Sequence, residues 1–160
     1  WGGDCAGFGV ALICPLTTNA TKSVTAMFSA AISLPTAAVT LNASAFHTGQ
    51  TITYLATLTP GSTPTQVDIY LGVLLPDGVT FLSFVPGPGG AIAFASGPAP
   101  VPFAANVTIA PTVVPFSYTF TGTEPVGTYY TYAGLAVAGN DPLQDANQLS
   151  IGVQAFQFTP

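Results

Sequence analysis

Between Pro35 and Pro160 the chain repeats one pattern: short runs of alternating apolar and polar residues, separated by clusters of Gly, Pro, Asn and Asp. In Ala38–Ala45, for example, Val39, Leu41, Ala43 and Ala45 alternate with Thr40, Asn42 and Ser44. A period of two places each set on its own face of a β-strand, which predicts a half-buried strand. The same pattern predicts strands at Thr51–Leu58, Val67–Leu75, Val79–Val85, Ala91–Ala95, Val107–Ala110, Val114–Thr121, Gly127–Val137 and Leu149–Phe158. Turn signals fall between them: Thr59-Pro60-Gly61, Pro76-Asp77-Gly78, Pro86-Gly87-Pro88-Gly89-Gly90 and Gly139-Asn140-Asp141-Pro142. Asp77-Gly78 between two apolar runs is the clearest hairpin signal. No window sustains a 3.6-residue period, so essentially no helix is expected. Together these elements predict an all-β fold, an immunoglobulin-like Greek-key sandwich of about eight strands.

Residues 1–34 follow a different pattern. Trp1-Gly2-Gly3-Asp4-Cys5 leads through Gly7 and Gly9 to Cys14, and an apolar β run follows at Val24–Leu34. An even cysteine count in a chain with secreted character predicts one disulfide, Cys5–Cys14. Zinc is discounted, because two cysteines and the lone His47 fall short of a four-ligand site. The expected organisation is a disulfide-closed β extension over 1–34 and a sandwich over 35–160.

Charge alters this picture most. The chain has 160 residues, 49% of them apolar, which is ample for a core. Yet only 4% are charged: Lys22 against Asp4, Asp68, Asp77, Glu124, Asp141 and Asp145, for a net charge of −5. Ordinary surfaces carry about 25–35% charged residues. A surface this poor in charge is wetted by hydroxyls and amides, or covered by neighbours or glycans. With one cation there is nothing to neutralise phosphates, which argues against nucleic acid and against anionic lipid. No apolar stretch approaches about 20 unbroken residues, so no membrane insertion is expected. The start at Trp1, without an initiator Met or a signal peptide, suggests a processed piece of a longer precursor.

Two resemblances sharpen the expectation. Trp1, Gly3, Cys5, Gly7, Gly9 and Cys14, followed by Val24-Thr25-Ala26-Met27-Phe28, resemble the C-terminal half of a Trp/Gly/Cys-type bacterial surface repeat related to internalin-like B-repeats. The strands that normally precede the Trp in that family are absent, which implies a half-unit in need of other partners. Pro125-Val126-Gly127-Thr128-Tyr129-Tyr130 resembles the Pro-x-Gly-x-Tyr start of a late strand in bacterial Ig-like modules, where one Tyr packs inward and bonds nearby backbone. Gly49-Gln50-Thr51, Val67-Asp68-Ile69-Tyr70, Leu75-Pro76-Asp77-Gly78, Phe116–Gly122 and Phe156–Pro160 add to a resemblance, over 36–160, to the C-terminal Ig-like module of large bacterial surface proteins. That resemblance implies a fold and an extracellular, cell-surface location, and no activity.

Catalytic chemistry is poorly represented. His47, the sole histidine, lies in a turn pattern, and the six acids are scattered singly, so no enzyme is expected. The weak calcium candidates are Asp141 and Asp145, in a turn also rich in amides, although their spacing fits no EF-hand and suits an ordinary long turn. No cofactor is expected. Tyr130 and Tyr132 share one face of their strand opposite Tyr129, a candidate ligand strip whose plain alternative is cross-strand packing. Asn19, Asn42 and Asn106 each open an Asn-x-Ser/Thr triplet, a frequent coincidence in a Thr-rich chain.

The functional expectation is therefore a non-catalytic structural subunit of a filament or surface layer, with itself as partner in a homopolymer. Val24, Ala26, Phe28, Ile32 and Leu34 are the candidate donor strand for β-strand addition to a neighbour. The alternative is an adhesin-like or carbohydrate-binding module, with a glycan as partner. A plain spacer domain is the third possibility.

Overall fold

Apolar residues at a period of two need a second layer to cover them, and the computed structural model supplies it as two packed sheets. It describes residues 1–17, 19–28 and 31–160. The chain divides into two units, Trp1–Ala31 and Ile32–Pro160.

In the first unit, β1 (Gly2–Gly3) pairs antiparallel with β2 (Val24–Thr25). Gly3 has φ +64°, and a Cβ there would lie 2.2 Å from the Ser23 carbonyl oxygen, so the ladder closes only on glycine. Asp4 accepts from the Ser23 amide at 2.8 Å and faces Lys22 at 3.5 Å. The Cys5–Cys14 disulfide is formed, and the Trp1 indole donates to the Ala11 carbonyl. Among the described residues of this unit Cys5 alone is buried. The expected β run Val24–Leu34 forms a strand only at Val24–Thr25. Its Ser29 and Ala30 lie outside the described residues, and its remaining positions are not in a strand. The two-residue β1 is too short to support a longer ladder.

The second unit is an all-β sandwich, of ten strands among the described residues where about eight were expected. β3 (Thr36–Leu41), β5 (Thr51–Thr59) and β10 (Thr112–Thr119) form the smaller sheet, in the order β10-β5-β3. The larger sheet runs β4-β12-β11-β6-β7-β8. Its members are β4 (Ala45–Phe46), β6 (Gln66–Leu74), β7 (Phe81–Pro86), β8 (Ile92–Gly97), β11 (Gly127–Val137) and β12 (Gln148–Phe158). β9 (Ala104–Thr108) pairs with the start of β6. The described residues outside the strands include three 3-10 turns and no α-helix.

The strand expected at Ala38–Ala45 is split. Asn42 leaves the ladder and uses its side chain to bond Thr51 and Thr53. Beyond that point the chain changes sheets, and Ala45–Phe46 pairs parallel with Gln157–Phe158. The hairpin expected at Asp77-Gly78 forms with a longer loop: Asp77 Oδ1 gathers the amides of Val79 and Thr80, and Leu75 bonds Thr80 across its base.

The core has two main parts. Val39, Tyr54, Leu58, Leu71, Phe84 and Leu135 belong to the central cluster. Phe46, Phe120, Tyr129, Phe156 and Phe158 build an aromatic end, with Tyr129 stacked on Phe156 at 4.9 Å. Such pairs add about 0.5–1.5 kcal/mol beyond burial. One side of the sandwich is closed by β3 lying on β12, where Gly152 has no room for a side chain: a Cβ would sit 2.8 Å from Ala38 Cα. Gly152→Ala should therefore destabilise the sandwich by about 1–3 kcal/mol. The expected observation is a lower urea midpoint at unchanged slope; an unchanged midpoint would mean that β3 is free to shift.

Candidate interaction surfaces

A strand wetted on one face alternates apolar with polar residues, whereas one covered on both faces is apolar throughout. β11, with the sequence Gly-Thr-Tyr-Tyr-Thr-Tyr-Ala-Gly-Leu-Ala-Val, is close to the second kind, interrupted only by Thr128 and Thr131. One set, including Ala133 and Leu135, enters the core between the sheets. The other set is Tyr130, Tyr132, Gly134 and Ala136, on the outer face of the larger sheet. On that face Tyr70, Tyr132 and Ala136 are buried together against Phe81. Tyr130, Ile151 and Val153 remain exposed around them.

Between these groups lies a hollow of about 360 Å³. Tyr70, Phe81, Tyr130, Leu143, Ile151 and Val153 line it, together with Gly134, and none of its lining residues is charged. Gly134 leaves open space: a Cβ there would come no closer than 3.9 Å to Tyr70. The site is shaped for apolar groups.

A second cleft, of about 300 Å³, opens between the sheets where β10 faces β7 and β8. Phe84, Phe94 and Phe116 pack across this seam at centroid distances of 4.6 to 5.7 Å. β10 ends the smaller sheet and β8 ends the larger one. Phe120 donates to Gln50, so alternate residues of β10 turn their amides towards β5 and the set containing Pro115 faces outward. Proline offers no donor there, which blunts the edge against pairing.

At the mouth of the cleft Glu124 organises the β10–β11 loop. Its carboxylate accepts from the Thr121 amide at 2.9 Å, the Gly122 amide at 2.8 Å and the Tyr118 hydroxyl. Desolvation works to raise its pKa, but the Thr121 and Tyr118 hydrogen bonds outweigh it and bring the pKa to about 2. The Tyr129 hydroxyl donates to the Pro125 carbonyl, the inward tyrosine that the Pro-x-Gly-x-Tyr resemblance implies. Burial, then the Glu124 charge, push the Tyr129 pKa up to about 12.

The structure separates the residues singled out from sequence. Tyr130 and Tyr132 do share the outer face, yet only Tyr130 offers its ring, at 46% exposure against 7% for Tyr132. The Tyr132 hydroxyl is held by Ser83 at 3.1 Å. Asp141 Oδ1 accepts the Leu143 amide, while Asp145 begins a 3-10 turn, and no group of three or more His, Cys, Asp or Glu suited to a metal gathers among the described residues. His47 lies in an exposed turn and bonds Thr159. Of the donor-strand candidates, Val24 is in β2, whereas Ala26, Phe28, Ile32 and Leu34 are exposed outside any strand. Sequence inspection missed Phe81, Gly134, Ile151 and Val153. The signal for that face was the scarcity of polar residues along β11, where Thr128 and Thr131 alone interrupt the two sets.

No family model and no curated protein matches the chain. Solved structures similar to it include the sporulation control protein Spo0M of Bacillus subtilis, at 14% identity and TM-score 0.42, over 81% of this chain and 51% of that one. Another is the alkylpurine DNA glycosylase of Pseudomonas fluorescens bound to DNA with an abasic site analogue, at 10% identity and TM-score 0.43, over 80% and 31%. A third is the CARDB domain of a Pyrococcus furiosus protein, an all-β domain, at 11% identity and TM-score 0.38, over 79% and 97%. The chain spans about half the length of Spo0M and under a third of the glycosylase chain. Similarities of this size assign neither ligand nor activity.

The Glu124 clamp has a defined pH signature. Because its folded pKa is depressed, its stabilisation is complete above about pH 5 and is lost as pH falls towards 2. The melting temperatures of the native protein and Glu124→Gln should differ most near neutral pH and converge near pH 2; a constant gap would rule out the clamp.

Proposed function

We propose that this chain is a non-catalytic, extracellular structural subunit, of bacterial cell-surface type, that assembles with copies of itself into a filament or surface layer. The single observation that carries this proposal is the exposure of its N-terminal apolar segment: Met27 is 88%, Phe28 92% and Ile32 79% exposed. The 31-residue unit that holds Met27 and Phe28 has no core to receive them. The charge deficit acts in the same direction, since an apolar surface with few charges lowers its free energy by covering itself. The disulfide suits an oxidising compartment.

β-strand addition between neighbours is the mode we assign to this segment. Val24–Thr25 is already paired with Gly2–Gly3, so residues 26–34 are the portion left to donate. The free edge of β8 carries no proline within Ile92–Gly97, unlike that of β10. Main-chain bonds would supply affinity and alternate side chains would supply register.

A second reading, an adhesin-like carbohydrate-binding module, is favoured by the exposed Tyr130 ring beside the outer hollow. Loss of glycan-array binding in Tyr130→Ala would support it.

Electron microscopy of the protein near neutral pH should show ordered filaments or layers, and Phe28→Asp combined with Ile32→Asp should leave dispersed particles. Dispersed particles from the native chain would refute self-assembly.

A further inference from the structure

The outer hollow and the exposed segment are both uncovered apolar features among the described residues, and they differ in shape. One is a concavity of about 360 Å³ with an uncharged lining. The other carries Met27 and Phe28, adjacent and almost wholly in solvent. Two hollows placed face to face would enclose a void, and voids forfeit dispersion contacts on every wall. A projecting aromatic side chain fills the space instead, and aromatic anchors in desolvated pockets dominate binding energy.

We infer that the hollow on the outer face of β6, β11 and β12 is the socket for Met27 and Phe28 of a second copy. This rests on the self-assembly proposed above and names a receiving surface for Met27 and Phe28 that is separate from the free edge of β8. The partner's chemistry follows from the charges. No carboxylate lines the hollow, and none falls within residues 23–34, so a net charge of −5 opposes the contact only through more distant groups. Tyr70, Phe81 and Tyr132 are already packed together and provide a firm floor, so binding requires little reordering.

A knob on one surface and a socket on another make a heterologous contact, which propagates instead of closing unless the rotation happens to form a ring. The insertion is a side-chain contact and stands with or without an accompanying main-chain ladder.

Sedimentation and light scattering of the full chain test this with two blocking variants. Phe28→Asp removes the knob. Gly134→Leu fills the socket at a position where a Cβ meets nothing closer than 3.9 Å. Each alone should weaken self-association by about tenfold or more. Mixed together, they should form a one-to-one dimer that grows no further, because one intact knob meets one intact socket. Val153→Asp, on the exposed rim, serves as a second socket variant, and an unchanged melting temperature confirms folding. If the native chain is monomeric, self-assembly and the socket both fail. If it assembles and the two socket variants assemble equally well, self-assembly stands and the socket is wrong.

Discussion

β11 carries large apolar residues on both faces, and the rest of the sandwich is arranged around that constraint. Its inner set meets Tyr54 and Leu71 in the central core. There the Tyr54 hydroxyl reaches across the sheets to the Tyr132 carbonyl at 2.8 Å, and burial holds that phenol far above the usual tyrosine range. The outer set draws Tyr70 and Phe81 over Tyr132. Glycine makes this possible, since a Cβ at Gly72 would fall 2.6 Å from the Tyr132 hydroxyl. The sheet thus begins a third layer from its own side chains and leaves it unfinished at Tyr130, Ile151 and Val153.

What is unfinished has an energetic sign. Fully burying one large aliphatic or aromatic side chain contributes about 1.5–3 kcal/mol. Covering three or four such groups therefore offsets much of the entropy lost on association. A surface dense in charge would oppose that covering through desolvation. Here none of the residues lining the hollow is charged, and Asp68, on the same sheet, has its carboxylate engaged by the amides of Asn106 and Gly139.

Much of the fold was legible in the alternation of residues. Gly127–Val137 has the limits read from sequence, because Pro125 before it and the Gly139-Asn140-Asp141-Pro142 turn after it bound a predominantly apolar run. The split after Leu41 was not legible, since an Asn at a polar position looks the same whether it faces solvent or caps the next strand. Val24–Leu34 looked like a strand because a strand's side-chain pattern is local, whereas its ladder depends on a partner many residues away. For the tyrosine strip the sequence left open whether the shared face is covered by packing or offered to a ligand. Period two fixes which side Tyr132 takes, but only the approach of Phe81 and Ser83 from β7 decides that it is covered. The hollow needed four strands in register, and no sequence window contains it.

The disulfide gives the N-terminal unit a role that a hydrophobic core could not. A segment that folds by burying apolar residues has few left to present. In this unit the Cys5–Cys14 link, the Asp4–Ser23 bonds and the indole of Trp1 hold the chain with a single buried residue among those described. Its stability comes largely from a covalent restriction of the unfolded chain, which consumes no apolar surface. Val10, Leu12, Met27 and Phe28 are consequently free to face outward. The uncovered apolar face of the sandwich and the apolar residues that the appendage keeps outside are the two surfaces that the proposed contact between copies would cover.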